Sequence, residues 1–381
     1  MAGMTPKIER FIADRRPETP CLIVDLDVVA AKYKNLARAL PGVRIYYAVK
    51  ANPAQPVLET LVGLGSCFDA AGAEEIEMCL ASGAKADDIS YGHTVKKRRD
   101  IARAHELGVR LFAFDSEDEL KKLAELAPGS KVYCRILVEN AGADWPLSRK
   151  FGCSLDMARD LMLQARDLGL DPYGLSFHVG SQQTNPQQWE GAIGRAAMVF
   201  TDLREQGVEL RMLNIGGGFP ARYRDDRLPP LDAYSDSIMQ AMRRHFGNNI
   251  PEMIMEPGRG IVAEAGVVHA EVVLISRKSN APDEARWIYL DVGKFGGLAE
   301  TMDEAIKYGF RTPHDGGREG PVVIAGPTCD GADILYEKTP YTLPLDLKTG
   351  DAVQLLATGA YTTVYAASSF NGFAAPKEYY I

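Results

Sequence analysis

At 381 residues the chain exceeds one ordinary domain and suits two domains or one large one. Its hydrophobic fraction of 46% and charged fraction of 25% exclude disordered and fibrous classes. A formal net charge of -8 argues against a nucleic-acid partner, which needs a basic surface, and is compatible with a cationic small molecule.

The opening stretch, MAGMTPKIERFIADRR, has no apolar core or cleavage pattern of a secretory signal, and no apolar run approaches the roughly 20 residues of a membrane span. TPCLIVD follows as a short strand-like run. From about residue 40 to 260, eight apolar or aromatic runs alternate with longer segments of helical period. The runs are RIYYAV to Val49, SCFDA to Ala70, DISYG to Gly92, LFAFD to Asp115, VYCRILV to Val138, GLSFHV to Val179, RMLNIG to Gly216 and EMIMEP to Pro257. Segments such as AEEIEMCLASG and LDMARDLMLQARDLG carry apolar residues three and four apart and end in glycine. Eight such units predict a TIM (β/α)8 barrel. After Gly260 the pattern changes to alternating runs without long helices, as in GVVHAEVVLISRK and DAVQLLATGAYT, which predicts a mostly antiparallel β domain. The fold class is therefore α/β, with a barrel domain over 26–262 and a β domain from 1–25 and 263–381.

The six cysteines form no CxxC pair. Those in apolar runs read as buried free thiols, which suits a reducing cytoplasmic compartment. No HExxH motif or paired histidine occurs, so no metal is expected, and there is no P-loop or dinucleotide fingerprint.

Barrel chemistry gathers at the C-terminal strand ends, and there the chain carries Lys50, Asp69, His93, Asp115, Arg135, His178 with Ser181, Gly216 to Gly218, and Glu256 with Arg259. Each admits two readings. Lys50 is a desolvated nucleophilic amine or a strand-end lysine. The glycine run is a phosphate cradle or a tight turn. Glu256 and Arg259 serve a ring nitrogen and a phosphate, or pair with each other. His178 is a site residue or a core imidazole.

Taken together, YYAVKAN (46–52), FHVGSQ (177–182), NIGGGFP (214–220), EPGR (256–259), GPTCDGAD (326–333) and GAYT (359–362) occur in one order. This set resembles the alanine-racemase-fold group of pyridoxal-phosphate decarboxylases, and within it the ornithine and lysine decarboxylases of compact bacterial type. The resemblance implies that Lys50 carries pyridoxal 5'-phosphate as a Schiff base. It places Asp69 nearby, His178 against the cofactor ring, Glu256 on the pyridinium and Arg135 close to the cofactor. Ser181, Gly217, Gly218, Arg259 and Tyr361 fall around the phosphate. It further implies a homodimer with shared active sites, in which Cys329 reprotonates the α-carbon and Asp330 holds the distal ammonium of a basic amino acid. Tyr361 and Phe370, in SSFNGF, complete the substrate pocket.

The chain departs from the larger ornithine decarboxylases in DVGKFGGLAETMDEAIKYG (291–309), where Glu300, Asp303 or Glu304 stands in for an aspartate on the substrate amine, and Glu300 is the choice. Diaminopimelate decarboxylase is the nearest alternative, but its motif usually reads Cys-Glu where this chain has Cys329-Asp330. A catalytically inactive regulatory homologue is the alternative of another class, disfavoured by Lys50, His178, Glu256 and Cys329 together.

Overall fold

The computed structural model describes residues 4–138, 143–145 (backbone), 150–224, 226–281 and 284–381. They divide into two compact units, Ala30–Pro220 with Leu228–Gly260, and Met1–Val29 with Ala221–Arg227 and Ile261–Ile381. In chain order the elements begin with α1 (Pro6–Arg15), β1 (Cys21–Val24) and α2 (Leu26–Ala39). There follow β2 (Val43–Ala48), α3 (Gln55–Gly63), β3 (Cys67–Ala70), α4 (Ala73–Ala81), β4 (Ile89–Tyr91), α5 (Arg98–Glu106), β5 (Leu111–Phe114), α6 (Glu117–Leu126) and β6 (Lys131–Arg135). Next come β7 (Ala143–Trp145), α7 (Leu155–Asp167), β8 (Asp171–Ser176), β9 (Ser181–Gln183), α8 (Gln188–Glu205), β10 (Met212–Asn214), α9 (Leu231–Phe246), β11 (Glu252–Met255) and α10 (Arg259–Val262).

The first-named unit is a closed eight-stranded parallel barrel in the order β10-β11-β2-β3-β4-β5-β6-β8. Its strands are buried on both faces, which is why they read as nearly continuous apolar runs. Tyr46, Cys67, Ala113, Tyr133, Met212 and Ile254 from its strands pack into one hydrophobic cluster. The crossover helices bury residues three and four apart, as with Ile76 and Cys79 of α4, or Leu161, Met162 and Ala165 of α7.

The strands stop sooner than the apolar runs that announce them. VYCRILV reads as strand to Val138, but β6 ends at Arg135, because the Leu137 N–H leaves the barrel to bond the Cys153 carbonyl at 2.8 Å. GLSFHV reads as strand to Val179, but β8 ends at Ser176, so His178 lies in the following loop. The short β7–β9 ribbon was not expected from the sequence.

The other unit contains β12 (Gly266–Ser276), β13 (Arg286–Leu290), β14 (Phe310–Arg311), β15 (Glu319–Ala325), β16 (Ile334–Pro344), β17 (Ala352–Leu356) and β18 (Lys377–Tyr380), joined by β1. TPCLIVD therefore does supply a strand. The eight-stranded sheet is mostly antiparallel, with β13–β15 and β1–β18 parallel. Long β12 pairs β1 and β17 through its first half and β13 through its second. α1, capped by Thr5 Oγ1 accepting the Ile8 N–H at 3.2 Å, seats Ile8 against Cys21, Ile23, Val267 and Leu356. Five cysteines are buried thiols and Cys329 is exposed. Among the described residues no helix is long and apolar enough to cross a membrane.

Candidate active site

Because the barrel strands are short, the polar residues that end or follow them converge at one mouth. Lys50 occupies a single 3-10 turn, Val49–Ala51, directly after β2, with its side chain exposed. Asp69 in β3 is buried, and its Oδ1 has no hydrogen-bond partner among the described residues. Burial, and then the neighbouring Glu256 carboxylate, hold the Asp69 carboxyl well above its ordinary range, against the pull of Lys50. The carboxyl has room only because residue 92 is glycine, where a Cβ would stand 1.9 Å from Asp69 Oδ1.

His178 is half-buried, and its Nδ1 accepts the Gly180 N–H at 3.0 Å, leaving Nε2 to carry the imidazole hydrogen. Burial, and then the Arg135 and Lys50 charges, hold it well below the usual histidine range, so the ring is neutral at neutral pH. Arg135 closes β6 with its guanidinium 5.1 Å from the Phe151 ring centre.

The glycine run follows β10. Gly216 has a φ of 70°, and a Cβ there would lie 2.2 Å from the Phe177 carbonyl oxygen. At Gly217 a Cβ would lie 2.5 Å from the Glu256 carbonyl oxygen and 3.2 Å from His178 Nε2. Only bare backbone fits, which is what a close anion cradle requires. Arg259, at the start of α10, donates from Nε to Ser181 Oγ at 3.2 Å. Glu256 directly follows β11; its N–H bonds the Gly216 carbonyl at 2.9 Å, and its Oε1 accepts from Asn214 Nδ2. The barrel thus brings together Lys50, Asp69, Arg135, His178, Ser181, Gly217, Gly218, Glu256 and Arg259.

Two further residues of this mouth carry no signal as single residues, although Asn214 opens the motif NIGGGFP. Glu75 sits in the first turn of α4, accepts the Ala71 N–H at 2.6 Å and faces the Lys50 charge. Burial raises its carboxyl, opposed by the Ala71 bond and by Lys50. Asn214 is wholly buried beside Glu256. In the sequence Glu75 looks like one of several solvent-facing helix acids, and Asn214 like the end of an apolar run.

Beneath the mouth, the ammonium of wholly buried Lys96 donates to the carbonyls of His93 at 2.8 Å and Ala113 at 2.6 Å, and lies 2.9 Å from Glu119 Oε1. Burial outweighs the Glu119 charge and brings it down to about 8. Between that value and the ordinary 10.5 the unfolded chain binds the proton and the folded chain does not, so this contribution to stability rises with pH across the window. Replacing Lys96 by Met removes it. The unfolding free energy of the wild type minus that of Lys96→Met, followed by urea denaturation, is expected to grow by on the order of 3 kcal/mol from about pH 8 to 10.5. A flat difference would mean that the buried amine is not displaced.

In the β unit, GPTCDGAD is held from within by Asp333. One carboxylate oxygen accepts the Lys294 N–H at 2.7 Å and the other the Thr328 hydroxyl at 2.7 Å. Glycines at 293 and 326 make way for it, since a Cβ at either would lie within 2.3 Å of its oxygens. Cys329 and Asp330 are thereby presented on an exposed turn, with the Cys329 N–H on Asn371 Oδ1 at 2.7 Å. Phe370 is exposed with its ring 4.9 Å from that of Phe295, and Tyr361, at a φ of 53°, stacks on Tyr365 at 5.9 Å. Of the three acids in 300–304, Glu304 caps three N–H groups, of Glu337, Lys338 and Thr339, at 2.6 to 2.8 Å. Burial would raise its carboxyl, but a hydrogen bond from the Thr339 side chain, with those backbone bonds, brings it down to about 2. Asp303 is exposed and Glu300 is buried.

Residues 26–263 match the family model described as the pyridoxal binding domain of pyridoxal-dependent decarboxylases. The chain is 35% identical over 372 residues to the lysine/ornithine decarboxylase of Selenomonas ruminantium, covering 97% of this chain and 91% of that protein. Among solved structures it resembles the lysine/ornithine decarboxylase from Vibrio vulnificus complexed with cadaverine, with a TM-score of 0.88, 32% identity and 99% of each chain covered. The arginine decarboxylase of Paramecium bursaria Chlorella virus bound to agmatine superposes with a TM-score of 0.89 at 29% identity, covering 99% of this chain and 100% of that one.

Proposed function

The chain belongs to the pyridoxal-dependent decarboxylases, and from that premise we propose that it uses pyridoxal 5'-phosphate to release carbon dioxide from ornithine and lysine, giving putrescine and cadaverine. The observation that carries this reading is the convergence at one barrel mouth of an amine, a glycine-backed anion cradle and a carboxylate locked by an amide. These residues fit the cofactor. Backbone at 216–218, where a Cβ would collide, suits a phosphate with Ser181 and Arg259 beside it. The Asp69 oxygen that lacks a partner among the described residues offers a further polar contact.

When bound, the cofactor supplies an electron sink for the carbanion left by the departing carbon dioxide. Lys50 contributes the amine that holds it. Asp69, its carboxyl pushed up by burial, lies within electrostatic reach of the Lys50 amine. Neutral His178 offers a flat, uncharged face for stacking on the ring. Glu256 sets a negative charge against the ring nitrogen.

In this reading two chains form a homodimer, and each supplies the other's site with Cys329, to return a proton to the α-carbon, and Asp330, to hold the distal ammonium. Tyr361 completes the phosphate and substrate contacts, while Glu300 and Phe370 shape the far end of the pocket. The Glu304 carboxylate is committed to three backbone N–H groups and is not assigned this role. The negative net charge suits a cationic substrate, and the free thiols suit the cytoplasm.

Carbon dioxide release by the purified enzyme tests the substrate class. Ornithine and lysine are expected to turn over within roughly 100-fold of each other, since one methylene discriminates by only about 1 to 3 kcal/mol. Diaminopimelate, whose distal carboxylate meets Asp330, and arginine are expected to lie at least about 100-fold below the better of the two. Comparable turnover of either would overturn the assignment.

A further inference from the structure

Asn214 closes β10, is wholly buried, and pairs in the ladder with Ser176 of β8 and Ile254 of β11. Both ends of its amide are committed. Nδ2 donates to Glu256 Oε1, and Oδ1 accepts the Gly216 N–H at 2.9 Å. The reversed amide would set its carbonyl against the Glu256 carboxylate and its NH2 against an N–H donor, so the neighbours dictate one orientation. The Glu256 N–H closes the loop by bonding the Gly216 carbonyl at 2.9 Å. One side chain therefore ties the first residue of the glycine run to one oxygen of Glu256 and sets the direction of the other.

We propose that Asn214 is a positioning residue that aims the Glu256 carboxylate at the nitrogen of the cofactor ring and locks that aim to the phosphate cradle. The inference rests on the pyridoxal-phosphate reading above. An amide is required, because only an amide donates to Glu256 while accepting from Gly216 at every pH. Aspartate keeps the acceptor and loses the donor, and unless protonated it sets a second carboxylate against Glu256. The charged and titratable groups around this pair are Asp69, Arg135 and Tyr133, with His178 reached across Gly217.

The test compares holoenzymes of the wild type, Asn214→Asp, Asn214→Ala, Glu256→Gln and the Asn214→Ala/Glu256→Gln pair. Turnover per bound cofactor is expected to fall roughly 10- to 100-fold in Asn214→Ala, with KM nearly unchanged and the visible cofactor band displaced. The double variant is expected to match Glu256→Gln within about threefold, because both changes remove the same interaction. Asn214→Asp is expected to retain turnover at low pH, where the new carboxyl is protonated and can donate. It should lose turnover as pH rises, moving the descending side of the profile to lower pH than in the wild type. If Asn214→Ala does not fold, the near-isosteric Asn214→Asp decides alone. A wild-type band and pH profile in Asn214→Asp, multiplying losses in the double variant, or a lower melting temperature with normal turnover per cofactor would each overturn the inference. A wild-type chain that binds no pyridoxal phosphate would instead fail the functional reading itself.

Discussion

Lys50→Ala is expected to bind no cofactor covalently and to lose turnover by at least about 10⁴-fold, the scale seen when a covalent nucleophile is removed. Lys50 alone supplies a nucleophilic amine at the end of β2, one turn from an apolar strand and in the field of Asp69 and Glu75. Its side chain is exposed, so truncation opens no core cavity, and the melting temperature of the apoprotein should move little. Borohydride treatment followed by peptide mapping reads the link directly. A trapped adduct on residue 50 is expected in the wild type, and none in the variant. Substantial multiple turnover by Lys50→Ala would sink the assignment.

Mixing Lys50→Ala with Cys329→Ala chains is expected to regenerate activity that neither possesses. In a two-fold dimer the same contact occurs twice, so a heterodimer of these variants has one site with both defects and one with neither. Random exchange of equal amounts makes half of the dimers mixed, which predicts about one quarter of the wild-type activity. The exposed turn that Asp333 braces suits Cys329 to act outside its own fold. Subunit exchange is followed separately with a tagged chain, and a fully exchanged but inactive mixture would remove Cys329 from the neighbouring site.

The barrel was readable in the sequence because strands buried on both faces must be apolar throughout. The ends of the ladders were not readable. Nothing in VYCRILV announces that Leu137 turns to Cys153, since both partners are apolar and the choice is made by a loop. Lys50, Asp69, His178 and Glu256 stood out as polar residues closing or interrupting apolar runs. Glu75 and Lys96 did not, because a carboxylate and an amine on helices or loops look solvated until their neighbours are known. In the sequence Gly92 looks like a plain strand end, whereas its missing side chain is what admits the Asp69 carboxyl.

The pairing of β1 also orders events in time. Each barrel strand finds a neighbour among strands close behind it in the chain, apart from the closure of β11 on β2. Cys21 to Val24 wait far longer, since their partners lie at 266–269 and 377–380. On a ribosome the four apolar residues of β1 emerge well before either partner and stay unpaired while the whole barrel segment between them is made. Until then they are an unpaired sticky edge, kept short at four residues and closely followed by the charged Asp25 and Asp27.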